Sequence, residues 1–335
     1  MQLNNRKGIH MSKTKVDAHY YPSLCFRALK RLGFAGKEST GEDGDMAEQL
    51  AEVGESFNFA PPMAGGPIFT LVYQMPGYLA PEQPDQMMEI FKRVGCFVET
   101  GEIQHILEEF PQKTREWGLW YTEPLLDAFL HPLEGREQDV LQLVDLFSGY
   151  LQRLWPQYRD EFDQWLDDFD LGAWEEHLQI GRVIDVWEAV AETSYPYSGF
   201  TMVACPETPS TASSLGPDKI VLGARHGIEV ARNSLVHEIG VRMPGLHRLA
   251  QHPDTAQLMA KDYVGMLRLL EAESCFRKHE VMHNLGWEYD ADQDGFLSGM
   301  DLHGLVELRT EISASDDLYE MFAEWYRQAS SENLL

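Results

Sequence analysis

The stretch DADQDGFLSGMDL, residues Asp290 to Leu302, places aspartates at alternating positions and closes with another acid. Gly295 follows the third aspartate, at a point where a side chain would hinder a sharp turn of the chain. This spacing would let one short loop aim its oxygen atoms at a single point. The oxygen-bearing groups are the side chains of Asp290, Asp292, Asp294, Ser298 and Asp301 and the backbone carbonyl of Phe296.

Calcium is the ion that such a loop suits, because it takes about six to eight oxygen ligands in a flexible geometry. The stretch resembles the calcium-binding loop of an EF-hand, with ligands at loop positions 1, 3, 5, 7, 9 and 12 and a glycine at position 6. The resemblance implies that these six residues bind calcium between two flanking helices. Position 12 departs from the family, because Asp301 stands where a glutamate is usual. Its shorter side chain implies a modest affinity and competition by magnesium.

The charge balance excludes some classes of partner. The 335 residues include 54 acidic and 27 basic side chains, which gives a formal net charge of -27. Such a surface repels the phosphates of nucleic acids and anionic lipids, so we expect neither nucleic acid nor an anionic membrane as a partner. Apolar residues make up 44% of the chain, which is enough for a sizeable core.

The sequence carries no pattern typical of export or membrane insertion. It has no run of about 18 apolar residues. Its basic, polar N-terminus lacks the apolar segment of a secretory signal. The four cysteines are far apart without CxxC spacing, which favours free thiols in a reducing compartment. We therefore expect a cytoplasmic protein.

The order of candidate elements predicts a mainly α protein, α+β with a minor β component. We expect a disordered tail over residues 1–18 and a mostly helical body over 19–250. A C-terminal helical lobe over 255–335 would contain the EF-hand-like helix-loop-helix. Short β-branched and aromatic runs predict strands near 68–73, 199–205 and 219–223. Apolar residues at helical spacing and breaker residues predict helices at 46–53, 85–95, 101–110, 122–131, 136–154, 158–168, 173–193, 227–242 and 255–287.

The segment LVHEIGVRMPGLH, residues 235–247, follows a predicted strand and has apolar residues before His237 and Glu238. It resembles the active-site helix of zincin metallopeptidases, where two histidines four residues apart bind zinc and the glutamate between them acts on metal-bound water. The resemblance implies zinc at His237 with Glu238 as the catalytic base. His247 stands at the spacing of a third metzincin ligand, and Glu271 resembles the downstream ligand of gluzincins. The second ligand is missing, because Val241 occupies its position.

A second string, HEVMHNLG at residues 279–286, looks like the HExxHxxG sequence of metzincins. Its two histidines, His279 and His283, fall on one face of a helix, so the resemblance implies zinc there with Glu280 as the base. The third metzincin ligand is absent, because Tyr289 stands at its position. The string also lies where the entering helix of the EF-hand-like unit must be, so the two hypotheses compete for the same backbone.

Two Glu-x-x-His pairs leave a third arrangement open. Glu102 with His105 and Glu280 with His283 would, on facing helices, resemble a carboxylate-bridged di-metal site. The strands predicted between residues 199 and 223 do not suit a plain four-helix bundle, which counts against this hypothesis.

Two functions of different classes follow. The first is a calcium-binding protein that uses one EF-hand-like loop for structural or regulatory purposes. Leu297 would normally pair the loop with a second one, and the sequence contains no second loop. We therefore expect pairing across a homodimer, packing against the body, or recruitment of a protein partner. The alternative is a zincin-like metallopeptidase, either active or degenerate, with zinc at a His-Glu motif and calcium as a structural ion.

Overall fold

The computed structural model describes residues 13–33, 43–54, 57, 66–208, 211–291, 294–312 and 317–335. These ranges form a mainly helical protein with one small sheet, which confirms the predicted fold class. The strands are β1 (Lys13–Asp17), β2 (Gly199–Cys205), β3 (Ala212–Gly216) and β4 (Lys219–Gly223). The helices are α1 (Tyr20–Arg31), α2 (Gly44–Gly54), α3 (Pro67–Phe69), α4 (Met75–Leu79), α5 (Pro84–Thr100), α6 (Gln104–Leu107), α7 (Trp117–Trp120), α8 (Glu123–Leu130), α9 (Glu137–Asp168), α10 (Leu171–Leu178), α11 (Ile180–Ala191), α12 (Ile228–Arg242), α13 (Leu246–Gln251), α14 (Pro253–Lys261), α15 (Tyr263–Leu285), α16 (Gly295–Gly299), α17 (His303–Glu311) and α18 (Leu318–Ser331).

The sheet has the strand order β1-β2-β4-β3, with β1, β2 and β4 parallel and β3 antiparallel at one edge. Its register sets Thr201 of β2 between Lys15 of β1 and Lys219 of β4. β2 is buried on both faces, which explains why its sequence GFTMVAC shows no apolar–polar alternation. The strands predicted at 199–205 and 219–223 are confirmed.

Three apolar clusters make up the core. One face of the sheet packs against a cluster that includes α1, α5 and α9. The other face packs against α11, α12 and the C-terminal part of α15. The N-terminal part of α15 belongs to a third cluster with α14, α17 and α18. Helix α15 therefore links the sheet to the C-terminal helices, and the candidate site lies along it.

The strand predicted near 68–73 is wrong, because these residues are helical. Helix α3, a π-helical segment (Thr70–Gln74) and α4 form a continuous run. Periodicity alone cannot separate a short buried strand from a short buried helix. Tertiary contacts decide here, because residues 70–73 are buried on all sides. The Tyr21 hydroxyl of α1 donates to the carbonyl of Val72, and the rings of Phe26 and Tyr73 lie 4.8 Å apart.

The predicted disordered tail also needs correction at its end. Residues 13–17 form β1, which pairs in parallel with β2 at the edge of the sheet. The pairing partner is almost 190 residues away, so no local pattern indicates this strand. Residues 1–12 of the predicted tail lie outside the described residues.

Several helices have boundaries that differ from the predicted ones. The helices predicted at 136–154 and 158–168 are one helix, α9, whose exposed Pro156 does not end it. The helix predicted at 173–193 is two, separated by Gln179 in the left-handed region (φ 45). The helix predicted at 255–287 is interrupted at Asp262, which caps α15 by accepting from the Gly265 amide. In the ranges that the structure describes, no helix is both long and apolar enough to cross a membrane.

Candidate functional site

Helices α12 and α15 pack side by side and place His237 against Glu271. The Nε2 atom of His237 lies 2.6 Å from Oε2 of Glu271, and the histidine ring is buried. The helices approach closely because Gly240 has no side chain. A Cβ atom there would lie 2.3 Å from Ser274 Oγ and 2.4 Å from the ring of Trp187. Glycine at 240 thus allows the helix spacing that brings the two polar side chains together.

The second ring nitrogen of His237 faces a thiol. Cys275, one helical turn after Glu271, has its Sγ atom 3.7 Å from Nδ1. A carboxylate only accepts hydrogen bonds, so the proton of a neutral imidazole lies on Nε2 and Nδ1 accepts from the thiol. Burial raises the pKa of Cys275 to about 12, with the charge of Lys278 acting in the opposite direction, so the thiol is protonated at neutral pH.

Glu238 is held by an arginine one turn later on the same helix. Nη1 of Arg242 lies 2.7 Å from Oε2 of Glu238. The same buried guanidinium donates to the carbonyls of Pro217 and Gly216 and to the Ser214 hydroxyl, at 2.8–3.0 Å. Burial acts to lower the pKa of Arg242, but the charge and hydrogen bond of Glu238 together with the nearby Tyr195 and Tyr197 outweigh it, and the net shift is upward. The candidate base therefore belongs to a buried ion pair that joins α12 to the edge strand β3.

The zinc ligands expected for the first motif are only partly together. His237 and Glu271 are in contact, while Val241 packs against the apolar cluster of the C-terminal helices. His247 lies on α13, where burial lowers its pKa and the backbone of Leu119 bonds to it. Among the residues that the structure describes, no group of three or more His, Cys, Asp or Glu side chains is placed to hold a metal ion.

The second motif lies on the solvent side of α15. His279, Glu280 and His283 are all exposed, and the ring of His279 lies 6.1 Å from that of Tyr289. The alternative pair near α6 is Glu102 and His105. Nε2 of His105 lies 3.7 Å from Oε2 of Glu102, and the histidine is half-buried while the glutamate is exposed. The structure does not gather either set into a cluster with further ligands within the described ranges.

The stretch 290–301 has a different shape from an EF-hand loop. The entering helix α15 ends at Leu285, five residues before Asp290, and residues 295–299 form the short helix α16. Asp301 has a left-handed backbone (φ 53), and both Ser298 and Asp301 are exposed. Asp292 lies outside the described residues. Among the residues of this stretch that the structure describes, no three acidic side chains are grouped so as to hold a metal ion.

The carboxylate of Asp294 makes its hydrogen bonds with groups of the protein itself. Its Oδ2 atom lies 2.8 Å from Nζ of Lys278 and accepts from the Tyr289 hydroxyl at 2.7 Å. Its Oδ1 atom accepts from the backbone amide of Phe296 and caps α16. The Lys278 and Asp294 side chains are both 0% exposed. Although burial opposes it, the charge of Lys278 keeps the pKa of Asp294 below its ordinary value.

The two motifs found separately in the sequence meet at one place. The ring of Phe296, from the loop, stacks on the ring of His237 with centroids 3.8 Å apart and an interplanar angle of 15°. The same phenyl ring lies 4.7 Å from Nζ of Lys278. Phe296 therefore covers the histidine ring on one face.

Sequence analysis missed Cys275 and Lys278, which complete this cluster. A signal was present, because residues 271, 275 and 278 follow a spacing of four and three and so share one face of a helix. The contact between Phe296 and His237 had no such signal, because it joins elements that are 59 residues apart.

The chain has no detected relative in the three comparisons made: no protein-family model, no curated protein and no solved structure matches it.

Proposed function

We propose that this chain is a zincin-like protein with a degenerate catalytic centre, and that it does not hydrolyse peptides by the zincin mechanism. The observation that carries the proposal is the ion pair between Glu238 and Arg242 beside a His237 that bonds directly to Glu271. The proposal makes the chain a pseudo-enzyme that acts through binding.

The pairing of His237 with Glu271 supports the likeness to zincins. In those enzymes a histidine of the active-site helix and a glutamate of a later helix bind the same ion. A ligand histidine also bonds through its other nitrogen to a second group, which orients the ring. His237 has a partner at each nitrogen, with Glu271 on one side and Cys275 on the other. The carboxylate contacts the imidazole at 2.6 Å, a direct hydrogen bond instead of a shared ion.

The substitutions at two positions support the loss of catalysis. Val241 has no atom that can bind zinc, and it stands at the position of the second histidine. A carboxylate that acts as a general base must be unprotonated and must have a free oxygen within reach of the water molecule. The Oε2 atom of Glu238 is bound to the guanidinium of Arg242, which makes four further hydrogen bonds. Removal of Arg242 would therefore leave a largely buried carboxylate without its charge partner.

The test is to measure zinc content and peptide hydrolysis in the wild type and in Val241→His. The new histidine would stand four residues after His237 on the same face of α12. We expect the wild type to retain no zinc after dialysis and the variant to retain about one equivalent. Val241→Gln serves as a size control, and Glu271→Gln in the histidine variant should remove the zinc. A wild type that holds about one equivalent of zinc and cleaves peptides would overturn the proposal.

Calcium binding by residues 290–301 is the second candidate function, and the alternating aspartates favour it. It requires Asp294 to leave Lys278, because all the hydrogen bonds of its carboxylate are made within the protein. The loop would then change shape when calcium binds, which fits a regulatory role and recruitment of a protein partner.

Calorimetric titration with calcium tests the second candidate. Asp290→Ala should abolish saturable binding, since this residue would be the first ligand of the loop. The matched control is Glu288→Ala, which removes an exposed acid just outside the loop. Equal binding in both variants, or no binding by the wild type, would reject the calcium function and leave the zincin-like proposal untouched.

A further inference from the structure

A buried ion pair, Lys278 with Asp294, lies next to the phenyl ring that stacks on His237. Tyr289 and Asp294 lie between α15 and α16, and Phe296 lies in the first turn of α16. We call these three residues the cover, and each contacts Lys278 or the ring of His237. Lys278 projects from α15 one turn after Cys275, so its ammonium lies between the helix and the cover. Beneath the ring of Phe296 lies the imidazole of His237, whose two nitrogens contact the carboxylate of Glu271 and the thiol of Cys275.

We propose that Lys278, by binding Asp294, holds Phe296 over His237, and that release of Asp294 exposes the His237–Glu271–Cys275 cluster. We call the Lys278–Asp294 pair the latch. In a helix-loop-helix unit that binds calcium, the ion gathers the acidic side chains and fixes the loop. Here an ammonium group that belongs to the protein does this for Asp294. The latch is independent of whether the cluster is a degenerate zincin centre.

The charges and contacts of Lys278 support this role. Its ammonium is fully buried and, among the residues that the structure describes, has one carboxylate partner within ion-pair distance, Asp294 at 2.8 Å. The rings of Phe296 and Tyr289 lie 4.7 and 5.6 Å from Nζ, so the cation also attracts the faces of both rings. All these partners come from the cover. Lys278 therefore binds the acid of the cover and both of its aromatic rings.

The ion pair between Asp294 and Lys278 also fixes the position of Phe296. The Oδ1 atom of Asp294 accepts from the Phe296 amide at 3.0 Å and caps the helix that begins at Gly295. Because Phe296 is only two residues from Asp294, its ring has little freedom while the cap holds. At its far end the segment is tied by Arg268, which donates to the carbonyl of Asp301. Loss of the central pair would therefore free a short segment without releasing the whole region.

The test uses the reactivity of Cys275 toward Ellman's reagent in the full chain. The background variant Cys96→Ser removes the half-buried thiol, while Cys25 and Cys205 are buried elsewhere in the core. We expect Lys278→Met to raise the labelling rate of Cys275 by at least about tenfold, because the rate follows the equilibrium fraction of open protein when reclosing is fast. Lys261→Met, which removes an exposed lysine near the start of α15, is the matched control and should leave the rate unchanged.

A second variant protects the test against misfolding of the first. Phe296→Ala leaves the Lys278–Asp294 pair in place and removes only the ring that covers His237. We expect faster labelling of Cys275 here too, with an unchanged circular dichroism spectrum. Hydrogen exchange read by mass spectrometry should show faster exchange in residues 289–300 of Lys278→Met and not in Lys261→Met. If labelling and exchange in both Lys278→Met and Phe296→Ala match the background protein, the latch is wrong.

Discussion

The ring of Phe296 lies nearly parallel to the ring of His237, 3.8 Å from it, and so joins the acidic stretch 290–301 to the helix of the His-Glu motif. The two segments are independent in sequence and make one site in the fold. A substitution in either segment should therefore affect the other. The site also depends on buried ion pairs and helix contacts, which can be tested separately.

The buried pair of Glu238 and Arg242 should matter more for stability than any surface pair. Arg242→Met removes the charge partner of Glu238 and the contacts to β3, so we expect a loss of about 3–5 kcal/mol in unfolding free energy. Denaturant titration measures it. The control is Arg327→Met, whose partner Glu324 is 49% exposed and whose pair should contribute about 0–1 kcal/mol. Similar losses in both variants would contradict a structural role for the buried pair.

Gly240 should not tolerate a side chain. Gly240→Ala would place a methyl group 2.3 Å from Ser274 Oγ and 2.4 Å from Trp187, so the two helices must move apart. We expect a loss of about 1–3 kcal/mol in thermal or denaturant unfolding. Gly149→Ala on α9, where a Cβ meets nothing within 4 Å, should stabilise by up to about 1 kcal/mol. A neutral Gly240→Ala would mean that α12 and α15 pack less closely than described.

Lys219 should make stability increase with pH in the alkaline range. Burial lowers its pKa to about 8 from an ordinary value of 10.5, with Asp218 acting in the opposite direction. Between these two values the unfolded chain binds more protons than the folded one, so the unfolding free energy rises with pH. The slope from one proton is at most about 1.4 kcal/mol per pH unit. Denaturant titrations from pH 8 to 9.5 should show a smaller slope for Lys219→Met.

The control for that series is Lys92→Met, because the side chain of Lys92 is 68% exposed. Its slope should equal that of the wild type. A Lys219→Met variant with an unchanged slope would show that the folded protein holds Lys219 with its ordinary pKa.

Removal of the Lys278 ammonium should make the acidic stretch a better calcium ligand. In the wild type a cation must displace Lys278 from Asp294, so the lysine and calcium compete for one carboxylate. We expect calcium affinity measured by calorimetry to rise by about tenfold or more in Lys278→Met, because that competition is lost. An affinity equal to that of the wild type would mean that Asp294 is not a calcium ligand.

The sequence alone predicts those elements of the fold that are determined by a local pattern of residues. The sequence predicts helix α12 and the strands β2 and β4 to within one or two residues, because Gly and Pro bound α12 and the two strands are short, largely apolar runs. The same rule explains the failures. Residues 68–73 and 13–17 are short segments whose state depends on what packs against them, and those partners are distant in sequence.

The candidate site divides in the same way. The sequence by itself determined the types and spacings of His237, Glu238, Glu271 and Asp294, and it determined that Val241 cannot bind a metal. Only the tertiary structure decided that Glu238 pairs with Arg242, that Asp294 pairs with Lys278 and that Phe296 covers His237. A carboxylate can bind a metal ion, an arginine or a lysine. The choice depends on which cation the packing of α12, α15 and the intervening segment brings within about 3 Å, in a place too buried for water to compete.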